Sequence, residues 1–176
     1  MAKSNTQWTV QPHGPLTSIG ADMLAVVGRL QMPLVDIPRR MTVIRLPDGR
    51  LVVWSAIALD EPSMARIEAF GEPAYLVVPS DHHRLDAAAW KARYPDLQVV
   101  TPTGAREKVA EVVEVDTSSP DFGDPSVRFT AVAGTREEEA ALVIRRAGGT
   151  TLILNDIVGN IKDAAGFGGW MLRRMG

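Results

Sequence analysis

The sequence contains no cysteine. That absence removes disulfides, thiolate metal sites and cysteine nucleophiles, and it leaves the redox compartment undefined. Histidine is almost as scarce, since His13, His82 and His83 are the whole complement. Long apolar runs are missing too. The longest are about one strand in length, short of the ~20 residues that cross a bilayer. The opening Met1 to Trp8 has no apolar core behind a basic stretch, so no secretory signal is expected. Aromatic residues make up only 6%, and Trp54, Trp90 and Trp170 are too scattered to form a base-stacking platform. Positive charge is not in excess either, with 19 Lys and Arg against 21 Asp and Glu. Pairs such as Arg39-Arg40 and Arg173-Arg174 are too short to bind nucleic acid or an anionic membrane. The expectation is a cytoplasmic protein with at most a small-molecule ligand.

What is present is an ordinary globular composition. The chain has 176 residues, 45% of them hydrophobic and 23% charged. That is the size of one domain with a core of its own. Neither a repeat nor a linker long enough to divide it appears.

The pattern of elements is mixed. Trp8 to Pro15 reads as an edge strand limited by Pro12 and Pro15, and Met23 to Val27 as a buried strand, with a short helix as the alternative. Pro33 and Pro38 mark a loop. A hairpin follows, with residues 41–46 and 51–57 flanking the Pro47-Asp48-Gly49 turn. Asp60 and Pro62 open a helix that Gly71 ends. Ala74 to Val78 is apolar throughout, as a strand buried on both faces is. Asp86 caps a second helix to Tyr94, Leu97 to Val100 is a strand, and Thr103 caps a third helix to about Val112. Residues 116–126 are loop, Val127 to Ala133 a strand, and 139–155 a hairpin around Gly148-Gly149. Hairpins, then alternating strands and helices, then hairpins again predict an α/β chain with mixed sheets covered by helices.

Chemistry is expected beyond the C-terminal ends of strands. Asp81, His82, His83 and Asp86 lie together after the strand ending at Val78, and Asp156 follows the apolar Leu152 to Leu154. Imidazole and carboxylate are ligands for zinc, iron or manganese. Each residue also has a plain structural reading, Asp86 as a helix cap and the histidines as backbone or solvent contacts. Adjacent residues in an extended loop point apart, so His82 and His83 are not expected to hold one ion. No serine lies in a Gly-x-Ser-x-Gly elbow, which leaves a serine-hydrolase reading unsupported. The glycines from Gly166 to Gly169 lack the spacing of a phosphate loop.

These elements resemble the metallo-β-lactamase superfamily. Its first motif, His-x-His-x-Asp-His after a strand, corresponds to Ser80-Asp-His-His-Arg-Leu85, where only His82 falls on a motif histidine. Thr135 in Ala133-Gly134-Thr135 stands where the next histidine belongs, and Asp156 matches the bridging aspartate. The phrases Arg40 to Leu46 and Asp48 to Ser55, with the His-His pair, are similar to an uncharacterised subgroup. The resemblance spans Trp8 to about Asn160. It implies a shortened four-layer αββα sandwich with a degraded metal-binding motif.

Three histidines cannot furnish the several imidazoles of a two-metal centre. At most one divalent ion is expected, held by His82 or His83 with Asp156 and an oxygen of Asp81 or Asp86. Two readings follow. One is a divergent hydrolase using His82 or His83 with Asp156, with one metal or by metal-free acid–base chemistry. The other is a non-catalytic scaffold or small-ligand domain in which Ser80, Leu85 and Thr135 fill the old site. The domain is read as spanning residues 1–176. The apolar Trp170 to Met175, within a tail of residues 161–176, is a candidate contact for a homo-oligomer.

Overall fold

The computed structural model of the chain describes residues 4–32 and 35–157. Nine strands and three α-helices are found among them, in the order β1(Thr17–Gly20), β2(Met23–Met32), β3(Val35–Arg45), β4(Arg50–Trp54), α1(Glu61–Phe70), β5(Glu72–Val77), α2(Ala87–Arg93), β6(Gln98–Val100), α3(Arg106–Ala110), β7(Val127–Ala131), β8(Ala140–Arg146) and β9(Gly149–Ile153). The first six strands form one sheet in chain order and the last three form a second. Strands β1 to β4 are antiparallel neighbours, whereas β5 and β6 join in parallel. The helices α1 and α2 make those parallel connections possible, because a parallel pair needs a crossover.

Side-chain alternation builds two cores. Leu51 and Val53 of β4, Leu76 of β5 and Val99 of β6 face one side, against Met64 and Ile67 of α1, Trp90 of α2 and Val109 of α3. Their neighbours Val52, Trp54, Tyr75, Val77 and Val100 face the other side, against Val127, Leu142 and Ile144 of the second sheet. The six-stranded sheet is therefore buried on both faces, which explains why its central strands read as continuous apolar runs. The layers run helix, sheet, sheet. Among the described residues no helix covers the outer face of β7–β9, so three of the four expected layers are present. Within the same residues no helix is long and apolar enough to cross a membrane.

Several expectations hold. The Pro47 to Gly49 turn closes through Gly49 N–H to Leu46 O at 3.0 Å, with Gly49 at φ 89°. Asp60 caps α1 by accepting from Ser63 N–H at 3.0 Å. Gly71 ends that helix for a different reason from a left-handed turn: a Cβ there would lie 2.3 Å from Gly49 O. The final hairpin turns one residue earlier than read, at Ala147-Gly148, with Gly149 paired to Arg146 as the first residue of β9.

Others are corrected. Residues 8–15 form no strand beyond an isolated bridge between His13 and Gly28. The edge strand is β1, after Pro15. Pro38 lies inside β3, opposite Arg29, rather than in a loop. Arg29 N–H points outward to Pro12 O at 2.9 Å, so Arg29 and Pro38 are a non-hydrogen-bonded pair and the missing proline N–H costs that ladder nothing. Residues 55–57 leave the sheet after Trp54, because Ser55 takes φ 54°. Thr103 starts a 3-10 turn without capping α3, which begins only at Arg106. The tail from 161 to 176 and its oligomer contact lie outside the described residues.

Candidate functional site

Four chain segments meet at one end of the sheets. Strand β4 ends at Trp54, and Ser55 follows with N–H bonded to Val77 O of β5 at 3.0 Å. Strand β5 runs into Pro79 and Ser80, and a 3-10 turn carries Asp81, His82 and His83. The second sheet docks there through Ala140 N–H to Pro79 O at 2.9 Å, which brings Glu139 beside Ser80. The chain beyond β9 supplies Asn155 and Asp156.

His83 is the hub. Its Nε2 lies 3.2 Å from Asp156 Oδ2, and its Nδ1 lies 2.8 Å from Ser55 Oγ. A carboxylate only accepts, so Nε2 carries the proton and Nδ1 is the acceptor. The Asn155 amide packs on the same ring, with Nδ2 2.8 Å from Nδ1 and 3.0 Å from Nε2. Its orientation is fixed from below: the Trp54 indole N–H donates to Asn155 Oδ1 at 2.5 Å, which turns the amide nitrogen toward His83. The side chain of His83 is 13% exposed and that of Asp156 54%, whereas Ser55 is 3% exposed. The site is thus an imidazole with one wet, anionic side and one buried, hydroxyl side.

Electrostatics follow the geometry. The hydrogen bond from His83 holds the Asp156 carboxyl below its ordinary range, against the opposing effect of partial burial. Glu139 goes the other way. Burial pushes its carboxyl up, and the nearby Asp156 charge adds to the push, while Ser80 and the two histidines favour its ionised form. The Ser80 hydroxyl is the hydrogen-bonding neighbour of the Glu139 carboxyl, although Ser80 Oγ and Glu139 Oε2 depart from ideal hydrogen-bond geometry.

The sequence candidates divide. His83 and Asp156 come together. The His82 side chain is 75% exposed and turns to Asp81 at 3.3 Å. Asp81 pairs with Lys108 at 2.9 Å. Burial raises the Asp81 carboxyl, but the Lys108 hydrogen bond and the His82 charge outweigh it and leave it lowered. Asp86 is fully buried and does not cap α2 with its side chain. It receives Arg39 Nη2 at 2.5 Å, Asn5 Nδ2 at 2.7 Å and Ala58 N–H at 3.4 Å, so its role is structural. Thr135 closes its own turn on Val132 O at 2.8 Å. His13 accepts from Asp60 N–H at 3.2 Å, apart from this site.

Sequence reading missed Ser55, Trp54, Glu139 and Asn155. Ser55 had one usable signal: it is the first polar residue after the apolar strand Leu51 to Trp54. Its backbone is in the left-handed region, which for a non-glycine residue stores roughly 1–3 kcal/mol and is concentrated at functional positions.

No protein-family model and no curated protein sequence matches the chain. Solved structures do match. A metallo-beta-lactamase from Hirschia baltica superposes with a TM-score of 0.52 at 11% identity, over 75% of this chain and 66% of that one. The metallo-beta-lactamase FIM-1 from Pseudomonas aeruginosa, in its mono-zinc form, gives 0.50 at 14% identity, over 78% and 66%. The metallo-beta-lactamase DIM-1 gives 0.56 at 9% identity, over 77% and 67%. The chain spans about two thirds of the length of these proteins. Likeness at such identities establishes the fold, which is metallo-β-lactamase-like.

A zinc ion of the kind named for FIM-1 does not fit the residues at this site. Among the described residues no three His, Asp or Glu side chains form a set able to hold a metal. The single imidazole there has both nitrogens engaged, Nε2 by Asp156 and Nδ1 by Ser55, with the Asn155 amide nitrogen against both. The expected ligand set of His82 or His83 with Asp156 and Asp81 or Asp86 is thereby dispersed.

Proposed function

We propose that this chain is a divergent hydrolase that uses the metallo-β-lactamase-like fold without its two-metal chemistry. His83 acts as general base, Asp156 orients and charges it, and Ser55 is the hydroxyl it activates. The carrying observation is the continuous Ser55–His83–Asp156 relay, at 2.8 and 3.2 Å. Ser55 Oγ attacks a carbonyl carbon as its proton passes to His83 Nδ1. The imidazolium so formed is stabilised by Asp156 and returns that proton to the departing alcohol or amine. Water then repeats the sequence to free the acyl group and restore Ser55. The same nucleophile–base–carboxylate logic recurs on unrelated folds and is recognised by geometry rather than sequence order. The burial of Ser55 favours small acyl groups.

The test is labelling with a fluorophosphonate and turnover of p-nitrophenyl acetate, both in the presence of a chelator. The expected result is one adduct, on Ser55, absent from Ser55→Ala. Turnover in His83→Gln should fall roughly 10²–10⁴-fold, the range for general-base catalysis. Labelling elsewhere, or none, defeats the reading. A second reading has one observation in its favour: Ser80, fully buried, stands where the resemblance puts a motif histidine. It makes the domain a non-catalytic, ligand-binding scaffold, and absence of both labelling and turnover selects it.

A further inference from the structure

The proposed relay leaves Asn155 and Trp54 without a part in the chemistry. The Asn155 amide nitrogen and the Ser55 hydroxyl both lie 2.8 Å from His83 Nδ1. The amide is held against flipping, because the indole N–H of Trp54 donates to its oxygen at 2.5 Å. Trp54 is buried and directly precedes Ser55, so the group that aims the amide and the hydroxyl beside it are neighbours in the chain. In the resting site Nδ1 has one lone pair, which the hydroxyl and amide donors share. Nε2 carries its hydrogen toward Asp156 and offers no lone pair. That balance changes once the Ser55 proton moves to Nδ1, because both ring nitrogens are then donors. The Asn155 N–H loses its acceptor on the ring just as a new negative oxygen forms on the carbon bonded to Ser55 Oγ. The backbone N–H of Ser55 is not available to that oxygen, since it is bonded to Val77 O at 3.0 Å.

We infer that Asn155 is the oxyanion donor of this site and that Trp54 is the residue that positions it. The inference rests on the hydrolytic reading given above and adds a catalytic residue to it. As Ser55 Oγ bonds to the carbonyl carbon, the C=O π pair moves onto oxygen and the hydroxyl proton onto His83 Nδ1. The Asn155 N–H, released from the ring by that same proton transfer, donates to the alkoxide. Collapse re-forms the C=O bond, expels the leaving group with the proton from Nδ1, and returns the Nδ1 lone pair to the amide. Because Trp54 holds the amide, the donor changes acceptor without changing place. The bond to oxygen is made in the transition state and not in the ground state, which is the condition for raising kcat rather than tightening substrate binding.

The test measures kcat and KM for p-nitrophenyl acetate, and the rate of fluorophosphonate labelling, on the full chain with a chelator present. Asn155→Ala is expected to lower kcat by about 10²–10³-fold, the usual loss for one oxyanion donor, with KM little changed. Labelling should slow in parallel, since the phosphonyl oxygen gathers negative charge as Ser55 adds to phosphorus. Asn155→Asp is the second variant, should Asn155→Ala fold poorly. It keeps an acceptor for Trp54 and a group of the same shape against the ring, but it has no N–H to give. Its kcat should fall at least as far, whereas a role confined to holding the imidazole leaves it near the unsubstituted chain. Trp54→Phe deletes only the indole N–H of the anchor and should lower kcat by a smaller factor, again at steady KM. Unchanged kcat in Asn155→Ala or Asn155→Asp, on a chain still labelled at Ser55, overturns the inference and leaves the relay standing. Absence of labelling in the unsubstituted chain removes the relay and the inference with it.

Discussion

Replacing Arg39 with methionine strands a carboxylate in the interior. Asp86 is fully buried, and the Arg39 side chain over it is 12% exposed. Methionine keeps the aliphatic stem of Arg39 and deletes only the guanidinium. Asp86 then retains Asn5 and the distant Ala58 N–H as donors, but no counter-charge. Breaking a buried pair by removing one partner costs about 3–5 kcal/mol. Against a typical total of about 5–15 kcal/mol, that is a large fraction of the stability of the fold. At about 2–4 °C per kcal/mol for a domain of this size, Tm falls by about 6–20 °C. Urea denaturation followed by tryptophan fluorescence reads the change, since Trp54 and Trp90 are buried. A paired replacement, Arg39→Met with Asp86→Leu, removes both charges and should recover most of the loss, apart from about 1–3 kcal/mol for the Ala58 N–H left without an acceptor. A loss below about 1 kcal/mol for Arg39→Met alone, or additive losses in the double variant, would refute the claim that the pair is a mutually dependent buried unit.

Three further variants test other parts of the structure. Gly71→Ala forces a Cβ to within 2.3 Å of Gly49 O, so either the helix end or the Pro47–Gly49 turn must move. The expected destabilisation is about 1–3 kcal/mol by chemical denaturation, and a neutral result shows that the turn yields freely. For pH, the lowered Asp156 carboxyl contributes stability above its ordinary range that is lost as pH falls through its folded value. Asp156→Asn should therefore cost stability at pH 7, below about 1 kcal/mol given its exposure, and nothing in strong acid. The raised Glu139 carboxyl has the opposite sign, so stability declines as pH rises from the ordinary glutamate range through its folded value. Glu139→Gln should flatten that decline, as denaturation curves across pH will report.

Local chemistry made part of this legible in the sequence. The turn at Pro47 to Gly49, the Asp60 cap and the final glycine turn carry their reasons within a few residues. Pro38 misled because proline is compatible with a strand wherever its N–H has no ladder partner, and that depends on register across the sheet. Asp86 misled because a nearby cap position competes with a distant arginine, and burial favours the arginine. For the site, a strand-end rule found His83 and Asp156. It did not find Ser55 or Glu139, because the first is placed by the β4–β5 pairing and the second by the docking of one sheet on the other. Such residues have no local signature; only the tertiary arrangement brings them to the imidazole.

The six-stranded sheet runs in chain order, each strand bonding to the one made just before it. Loop closure is cheap between such neighbours, so this sheet is the part of the molecule with the fastest route to native contacts. Ser55 directly follows its strand β4, and His83 lies in the turn that follows its strand β5. Asn155 and Asp156 arrive with the final hairpin, whose sequence separation from His83 is 72 residues for the nearer bond. The half of the site that faces the imidazole from the second sheet is thus contributed by contacts separated by 72 and 73 residues, which are slower to close than the neighbouring pairs of the first sheet. A chain that has folded only its first sheet brings Ser55 and His83 together without Asn155 and Asp156, so on the proposed reading His83 gains its carboxylate only when the second sheet docks.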